Sequence, residues 1–559
     1  MGGIFKKRSA AAAIADDDGD STSAIAGSNH AHPVKKNKNQ DDCETYVAQR
    51  SAPPRPPCQP LGNLLVQQDA RNARDHGLGS MAVLPDEIIV NIISELEAMD
   101  LLRLQGVSHS FYAFTRLEGQ WKHEFIKRNN GRLHGWKGSW RRTYLCHFCK
   151  RLGSVQSLPT DSLTISDVYS DVLYTPYMAA RYDPRPLVKS SRFADNIPRV
   201  NGSILTTVEL GSKPLILTNL MDDWAAWRSE KPWSLSELSR RYPQVLFRAE
   251  AVLTHLSEYI PYHNQCQHDE SPLYIFDADF VEKTEAASPG HGLSKDFSVP
   301  HLFQDDLFSI LGDMRPDHRW LITGPARSGS TFHCDPNATS AWNAVVTGRK
   351  LWILFPPEIT PPGVIVSEDQ AEVETPLSLA EWLANFYTMA KRQYGPHASQ
   401  PEHRNLMLEG VCNAGEIFYV PSGWWHLVVN LDDSVAVTQN FVSRTNLKQV
   451  LHFLKYRADQ VSGFTMGSAG GVHASCDTDE TGGGLVSKLF EAALAKQYPD
   501  LYNTVVNEES GEHSVIPSGN CGIAGANLWQ DLKDSGEQKD GSSQAGFTFG
   551  FEFGGEDEG

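Results

Sequence analysis

Two short stretches carry side chains able to hold a metal together: Ser330-Thr331-Phe332-His333-Cys334-Asp335-Pro336 and, far downstream, Pro421-Ser422-Gly423-Trp424-Trp425-His426. His333 and Asp335 are two apart, so an extended strand would turn both to one face and Cys334 to the other, where its thiol is expected to be inert. Trp425 to Leu431 reads as a second strand, and a barrel laying the two side by side would add His426. Two imidazoles and one carboxylate on one side of a metal form the facial set of non-haem Fe(II) oxygenases, with positions left open for cosubstrate and O₂. His-x-Asp alone equally fits a strand end whose side chains make surface hydrogen bonds, so the surrounding sequence has to separate the two readings.

From about residue 190 the chain turns to short β-rich runs separated by Pro, Gly and Asp. They are Ile204 to Leu210, Pro214 to Thr218, Trp320 to Thr323, Ala341 to Val346, Lys350 to Phe355, Ile417 to Val420, Leu427 to Leu431 and Val435 to Gln439. Helical inserts are expected at Leu235 to Tyr242 and Leu377 to Gln393. The pattern predicts a mainly β fold, a double-stranded β-helix or jelly roll, whose paired sheets hold a small-molecule site at one open end.

The run from Trp320 through Gly324-Pro325 to His333, then Ser340-Ala341-Trp342-Asn343, Gly348-Arg349-Lys350-Leu351-Trp352 and Phe355-Pro356, resembles the cupin-like Jumonji-C (JmjC) family of 2-oxoglutarate oxygenases. So do Gly415-Glu416, Val420 to His426, Asn430-Leu431, Thr438-Gln439-Asn440-Phe441 and, upstream, Ser271-Pro272-Leu273-Tyr274-Ile275-Phe276-Asp277. The branch it is most similar to contains the arginine demethylase and lysyl hydroxylase once described as a phosphatidylserine receptor, and the resemblance spans residues 190–457. It implies that His333, Asp335 and His426 bind Fe(II) and are the catalytic centre. It further implies that Lys350 receives the far carboxylate of the cosubstrate 2-oxoglutarate, with Tyr274, Ser330, Asn343 and Thr438 at other cosubstrate-contacting positions. Ser330 stands where Thr is usual, which keeps the hydroxyl and loses the methyl. The implied reaction consumes O₂, with ascorbate as reductant, and either hydroxylates a lysyl carbon or removes an N-methyl group from arginine or lysine; nothing in the spacing decides between the two. Histones or RNA-processing proteins are the implied targets.

A chain of 559 residues with 40% apolar and 10% aromatic residues implies two or three domains plus tails. The formal net charge of −18 disfavours a general nucleic-acid or membrane-surface binder and favours partners with basic side chains. No apolar run reaches the length of a membrane span, so no membrane partner is expected. The nine scattered cysteines are odd in number and do not form a secreted disulfide framework, which points to a reducing compartment. Residues 1–80 are polar and read as a disordered arm. Its short basic runs, including Lys35-Lys36-Asn37-Lys38, fit nuclear import signals, with the cytoplasm as the alternative.

At Leu84-Pro85-Asp86-Glu87 the composition changes. Three apolar sets at helical spacing follow: Ile88, Ile89, Ile92, Ile93 and Leu96; Leu101, Leu102, Leu104 and Val107; Phe111, Phe114, Leu117, Trp121 and Phe125. Residues 82–126 therefore resemble an F-box, a module that docks on the Skp-type adaptor of a cullin ubiquitin ligase. A plain three-helix piece has the same periodicity. Residues 127–189, rich in Trp, Tyr and Arg, read as a connector; its Cys146 and Cys149 lack a second pair nearby and read as structural. Beyond the barrel, Thr445 to Phe464 and Leu485 to Tyr502 are expected helices within a C-terminal segment, 458–506. The resemblance makes them candidates for a homodimer interface, and packing back on the barrel suits the same stripes. Residues 507–559 read as a disordered acidic Gly/Ser-rich tail. An oxygenase of protein side chains is the leading reading; an F-box substrate receptor that uses the barrel only for recognition is its alternative.

Overall fold

The computed structural model describes residues 58–67, 69–148, 165–368, 370–464 and 482–511. Most of the expected arm, residues 465–481 of the C-terminal segment, residues 512–559 of the expected tail, and Cys149 lie outside them. The chain divides into two compact units, one of residues 1–115 with 159–174 and one of residues 116–158 with 175–559.

In the first unit, residues 58–80, assigned by composition to the polar arm, instead form short helical turns at Leu61–Leu65 and Arg74–Gly77, with a third at Gly79–Val83. Helices follow at Asp86–Ser94, Ala98–Leu104 and His109–Phe114. Pro85 precedes the first of them, and Asp86 and Glu87 occupy its first turn, where carboxylates meet the positive end of the helix dipole. Ile89, Val90, Ile93, Leu101, Phe111 and Phe114 are buried, whereas Ile88 and Ile92 are 44% and 45% exposed one turn apart. Ser108 caps the third helix by accepting from Phe111 N at 3.2 Å.

The third apolar set does not form one helix. Thr115 Oγ1 donates back to Phe111 O at 2.7 Å, the chain straightens through Leu117, and a separate helix, Glu118–Arg128, belongs to the second unit. There Trp121 and Phe125 are fully buried against Trp140 and Tyr144 of helix Trp140–Phe148, whose start is capped by Glu118 Oε2 accepting from Trp140 N at 2.6 Å.

The strands, in chain order, are β1 (Arg199–Asn201), β2 (Leu215–Thr218), β3 (Leu246–Ala249), β4 (Val252–His255), β5 (Ile275–Asp277), β6 (Arg319–Gly324), β7 (Gly329–His333), β8 (Ser340–Thr347) and β9 (Arg349–Phe355). They continue with β10 (Ile365–Val366), β11 (Val373–Glu374), β12 (Leu408–Asn413), β13 (Ile417–Val420), β14 (Trp425–Asn430) and β15 (Ser434–Phe441). A seven-stranded sheet runs β1-β2-β13-β8-β15-β6-β5 and a four-stranded sheet runs β12-β9-β14-β7. Ile216, Ala341, Val345, Phe418 and Val420 of the larger sheet share one core with Trp352, Leu354, Cys412 and Val428 of the smaller, so the sheets face each other as a jelly roll. The other face of the small sheet, with Leu351, Ile353, Phe355, Leu427 and Val429, is covered by Trp382 and Leu383. The expected helix from Leu377 to Gln393 is two helices, Leu379–Asn385 and Tyr387–Tyr394.

Two further expectations are corrected. Ile204 to Leu210 is not a strand but two 3₁₀ turns, because Thr206 and Glu209 close a capping box there. The expected C-terminal helices are Leu447–Tyr456 and a pair, Gly482–Gln497 and Pro499–Gly511, broken at Pro499, which cannot continue the preceding helix. The stripe Leu447, Val450, Leu451 and Leu454 is covered within the chain by Phe490, Leu494 and neighbours, so a homodimer has to use another face.

Candidate metal and cosubstrate centre

Strand alternation assigns the inner faces. On β14, Leu427 and Val429 face the helices, so His426, Val428 and Asn430 face the interior. On β9 the same rule turns Lys350, Trp352 and Leu354 inward, with cross-strand partners His426–Leu354, Val428–Trp352 and Asn430–Lys350. On the opposing sheet Asn343 pairs with both Phe418 and Thr438 and lies between the inward Ala341 and Val345.

His333 and His426 are direct register partners on β7 and β14, with ring centroids 4.1 Å apart. The next matched pair is Val428 with Ser330, so three residues of β7 span two of β14. This bulge breaks the alternation, and Ser330 and His333, three apart, both reach the inner side while Phe332 between them joins the outer core. The expectation that one regular strand presents both His333 and Asp335 is therefore corrected. β7 ends at His333, and Asp335 lies beyond it, at the start of the turn Pro336–Ala338.

Each imidazole is oriented by a carbonyl: His333 Nδ1 lies 2.7 Å from Thr331 O and His426 Nδ1 lies 3.0 Å from Trp424 O. A carbonyl oxygen only accepts, so each Nδ1 carries the hydrogen and each Nε2 the lone pair that a metal needs. Burial pushes both imidazoles down to about 4, with His426 adding to the effect on His333, so both are neutral at neutral pH. Burial raises the Asp335 carboxyl to about 6, against the pull of His333 and of Asn440, whose Nδ2 donates to Asp335 Oδ1 at 3.3 Å. Asp335 Oδ2 is buried without a hydrogen-bond partner. Among the described residues no three His, Cys, Asp or Glu side chains already stand at metal-ligand spacing. The imidazole pair is assembled, and the Asp335 carboxylate, held by Asn440, does not yet stand with it at ligand spacing. The donor set itself, two neutral imidazoles and a carboxylate with an orphaned oxygen, fits a divalent cation.

Deeper in the barrel Lys350 is 2% exposed and donates to the neutral Asn430 Oδ1 at 2.9 Å, while Asn430 Nδ2 donates to Ser328 Oγ at 2.9 Å. Burial pushes its ammonium down to about 8. Tyr274 Oη and Ser330 Oγ are 3.2 Å apart, and Asn343 Oδ1 is buried without a partner. Thr438 differs from the other candidates: its hydroxyl donates to Trp342 O at 3.0 Å and so satisfies its own sheet. Cys334 packs against the outer core with its thiol raised by burial, as expected of an inert residue. Asn430 and Asn440, which hold Lys350 and Asp335, lie in the runs that carry the family resemblance, but local pattern assigns them no role of their own.

The cupin-like domain family matches residues 203–446, and an F-box-like family matches residues 81–127. The arginine-specific demethylase JMJ22 of Arabidopsis thaliana is 42% identical over 404 residues, covering 71% of this chain and 75% of the relative. The bifunctional arginine demethylase and lysyl-hydroxylase psr-1 of Caenorhabditis elegans is 36% identical over 271 residues, 46% of this chain and 64% of that protein. The 2-oxoglutarate and iron-dependent oxygenase JMJD4 of Mus musculus is 29% identical over 167 residues, 30% of this chain and 36% of that protein. With its paired histidines and a buried lysine on one inner wall of a jelly roll, this chain belongs to the Jumonji-C family of cupin-like oxygenases, in a form that also carries an F-box-like segment.

Proposed function

We propose that this protein is an Fe(II)- and 2-oxoglutarate-dependent oxygenase of protein side chains, in which His333, Asp335 and His426 hold the metal and Lys350 receives the far carboxylate of the cosubstrate. The register pairing of the two histidines on the wall that carries Lys350 is the observation that supports this most. When bound, Fe(II) with 2-oxoglutarate and O₂ supplies oxidation of a C–H bond, with succinate and CO₂ as by-products. The chain's own residues do the rest. Lys350 offers a desolvated cation to an anion, Asn430 aims it, and Tyr274 with Ser330 offers paired hydroxyls on the same interior. Asn440 restrains the Asp335 carboxylate, and the apolar residues between the sheets keep water out.

Relatives named as an arginine demethylase and a lysyl hydroxylase support a basic protein side chain as substrate, consistent with the acidic balance of this chain. Oxidation at an unmodified side-chain carbon would leave an alcohol; oxidation at an N-methyl carbon would release formaldehyde and the demethylated amine. The test is conversion of 2-oxoglutarate to succinate by the purified chain with Fe(II) and ascorbate, against a His333→Ala, Asp335→Ala double variant. Peptides are then screened for the mass gain of one oxygen or the loss of one methylene. Equal turnover by parent and variant, together with no binding of Fe(II) and 2-oxoglutarate by the parent, would refute the assignment.

The titration of Lys350 sets the pH dependence. Its ligand-free value is lowered to about 8, so above that pH the cation that the diacid needs is progressively lost. Affinity for 2-oxoglutarate, measured calorimetrically with Mn(II) in place of Fe(II), is expected to be flat between about pH 6 and 8 and to fall about tenfold per unit above that, with proton uptake on binding there.

We further propose that the F-box-like helices bind a Skp-type adaptor and that the protein works in the nucleus, a location supported by the basic runs near its N-terminus. Ile88 and Ile92 present an apolar ridge on helix Asp86–Ser94. Changing both to Asp should weaken adaptor binding by about 10²-fold in a pull-down titration, since two desolvated anchors are each worth about 1–2 kcal/mol. Succinate formation should be unaffected.

A further inference from the structure

Asp269 lies outside the candidate centre, yet it gathers the loop that delivers Tyr274 to it. It is 8% exposed, and its Oδ2 accepts from Trp140 Nε1 and from Tyr262 Oη, each at 2.8 Å. Its Oδ1 accepts from Ser271 N at 3.1 Å. Lys122 Nζ lies 3.9 Å from the same carboxylate and donates to Ser271 O at 3.3 Å. Tyr262 Oη in turn accepts from Leu273 N at 2.7 Å, and Tyr259 Oη donates to Leu273 O at 2.7 Å. Both backbone groups of the residue preceding Tyr274 are thereby fixed by buried phenols. From the other side Arg327 donates to the carbonyls of Asp269 and Cys266. A side chain at Gly324 would come within 2.5 Å of Tyr274 Cβ, so the aromatic residue has no slack against β6.

We propose that Asp269 is a positioning residue for cosubstrate binding: with Lys122, Trp140 and Tyr262 it locks the segment Cys266–Tyr274 so that the Tyr274 hydroxyl stays in reach of Ser330 on the inner side of β7. This rests on the reading that Tyr274 and Ser330 contact 2-oxoglutarate. Two of the four groups come from ahead of the cupin-like match, and Lys122 from within the F-box-like match, so that last helix serves the oxygenase barrel rather than an adaptor. A carboxylate that accepts several buried donors is hard to replace, because each donor it leaves is orphaned.

The experiment is calorimetric titration of 2-oxoglutarate into the full chain loaded with Mn(II), for the parent, Asp269→Asn, Tyr274→Phe and the double variant. The single variants should each weaken binding about five- to tenfold, the loss expected for one hydrogen bond. The double variant should be no weaker than Tyr274→Phe alone, because Asp269 acts only through Tyr274. Mn(II) affinity should not move, and in turnover the KM for 2-oxoglutarate should rise with kcat held. Lys122→Met, at a partly exposed site, repeats the measurement should Asp269→Asn fail to fold, and Lys122→Arg should restore parental affinity. Additive losses in the double variant, or parental affinity in both Asp269→Asn and Lys122→Met, overturn the proposal alone. A parent chain that binds Mn(II) but no 2-oxoglutarate overturns the cosubstrate reading, and this proposal with it.

Discussion

Replacing His426 with alanine is expected to reduce succinate formation by about 10³-fold or more and to abolish tight metal binding, while the thermal midpoint of the metal-free chain changes little. The imidazole is 4% exposed, faces His333 across the β7–β14 ladder and is held neutral by burial, so its contribution is a lone pair rather than a charge. A bound metal contributes several kcal/mol of charge stabilisation, and each 1.36 kcal/mol is tenfold in rate, which sets the size of the loss. Equilibrium binding of Mn(II), followed by calorimetry, separates this from a folding defect. Retention of parental metal affinity by His426→Ala would remove His426 from the ligand set. Asp335 adds a pH signature to the same measurement. Its carboxyl is raised to about 6, so metal affinity should decline as pH falls through that value, where the proton competes with the metal. The imidazoles contribute to this decline only near pH 4.

Lys350→Met is expected to weaken 2-oxoglutarate by about 30- to 1,000-fold, the equivalent of about 2–4 kcal/mol for removing one member of a desolvated charge pair. The same change should leave the ligand-free chain as stable as the parent or more so. Burial already lowers the ammonium to about 8, and its hydrogen-bond partner on β14 is the neutral Asn430, so the folded ligand-free chain carries a charge that water would solvate better. The sign follows from linkage: the folded value lies below the ordinary lysine value of 10.5, so between about 8 and 10.5 the unfolded chain binds more protons and this group adds stability as pH rises. A difference scan of Lys350→Met against the parent should therefore show its largest stabilisation below pH 8 and a shrinking one above. Loss of stability in the variant, with 2-oxoglutarate affinity retained, would make Lys350 a structural residue.

The two effects together define what a jelly roll provides here. One wall carries a neutral pair at one level and a buried cation at another, on strands that are adjacent in the sheet and distant in the chain. His426 and Asn430 lie on the same inner face of β14, and Asn430 carries the hydrogen bond that aims Lys350. A diacid bridging the two levels would pass the Val428–Trp352 row, where the indole stacks on Phe418 with centroids 3.9 Å apart. The helices over the outer face pack on the same strands from behind.

Residue types and short spacings determined much of this by themselves. The β-rich runs at Ile417 to Val420, Lys350 to Phe355 and Val435 to Gln439 marked strands that the fold contains, and the motif residues His333, His426 and Lys350 all face one interior. The start of the F-box-like segment at Leu84-Pro85-Asp86-Glu87 was legible for a similar reason, since caps and first-turn carboxylates act locally. What the tertiary structure alone decided is register. The bulge that turns Ser330 and His333 to one side arises from pairing with β14, and the end of β7 at His333 leaves Asp335 outside the strand in which a count of two along the chain had placed it. The helix Glu118–Arg128 parted from the apolar set before it because Trp121 and Phe125 find Trp140 and Tyr144, partners that helical periodicity does not identify. Asp269 showed no signal in the sequence because its donors come from three separate segments. Local pattern sets which face a side chain takes; pairing between distant strands, and burial against distant side chains, set what that face meets.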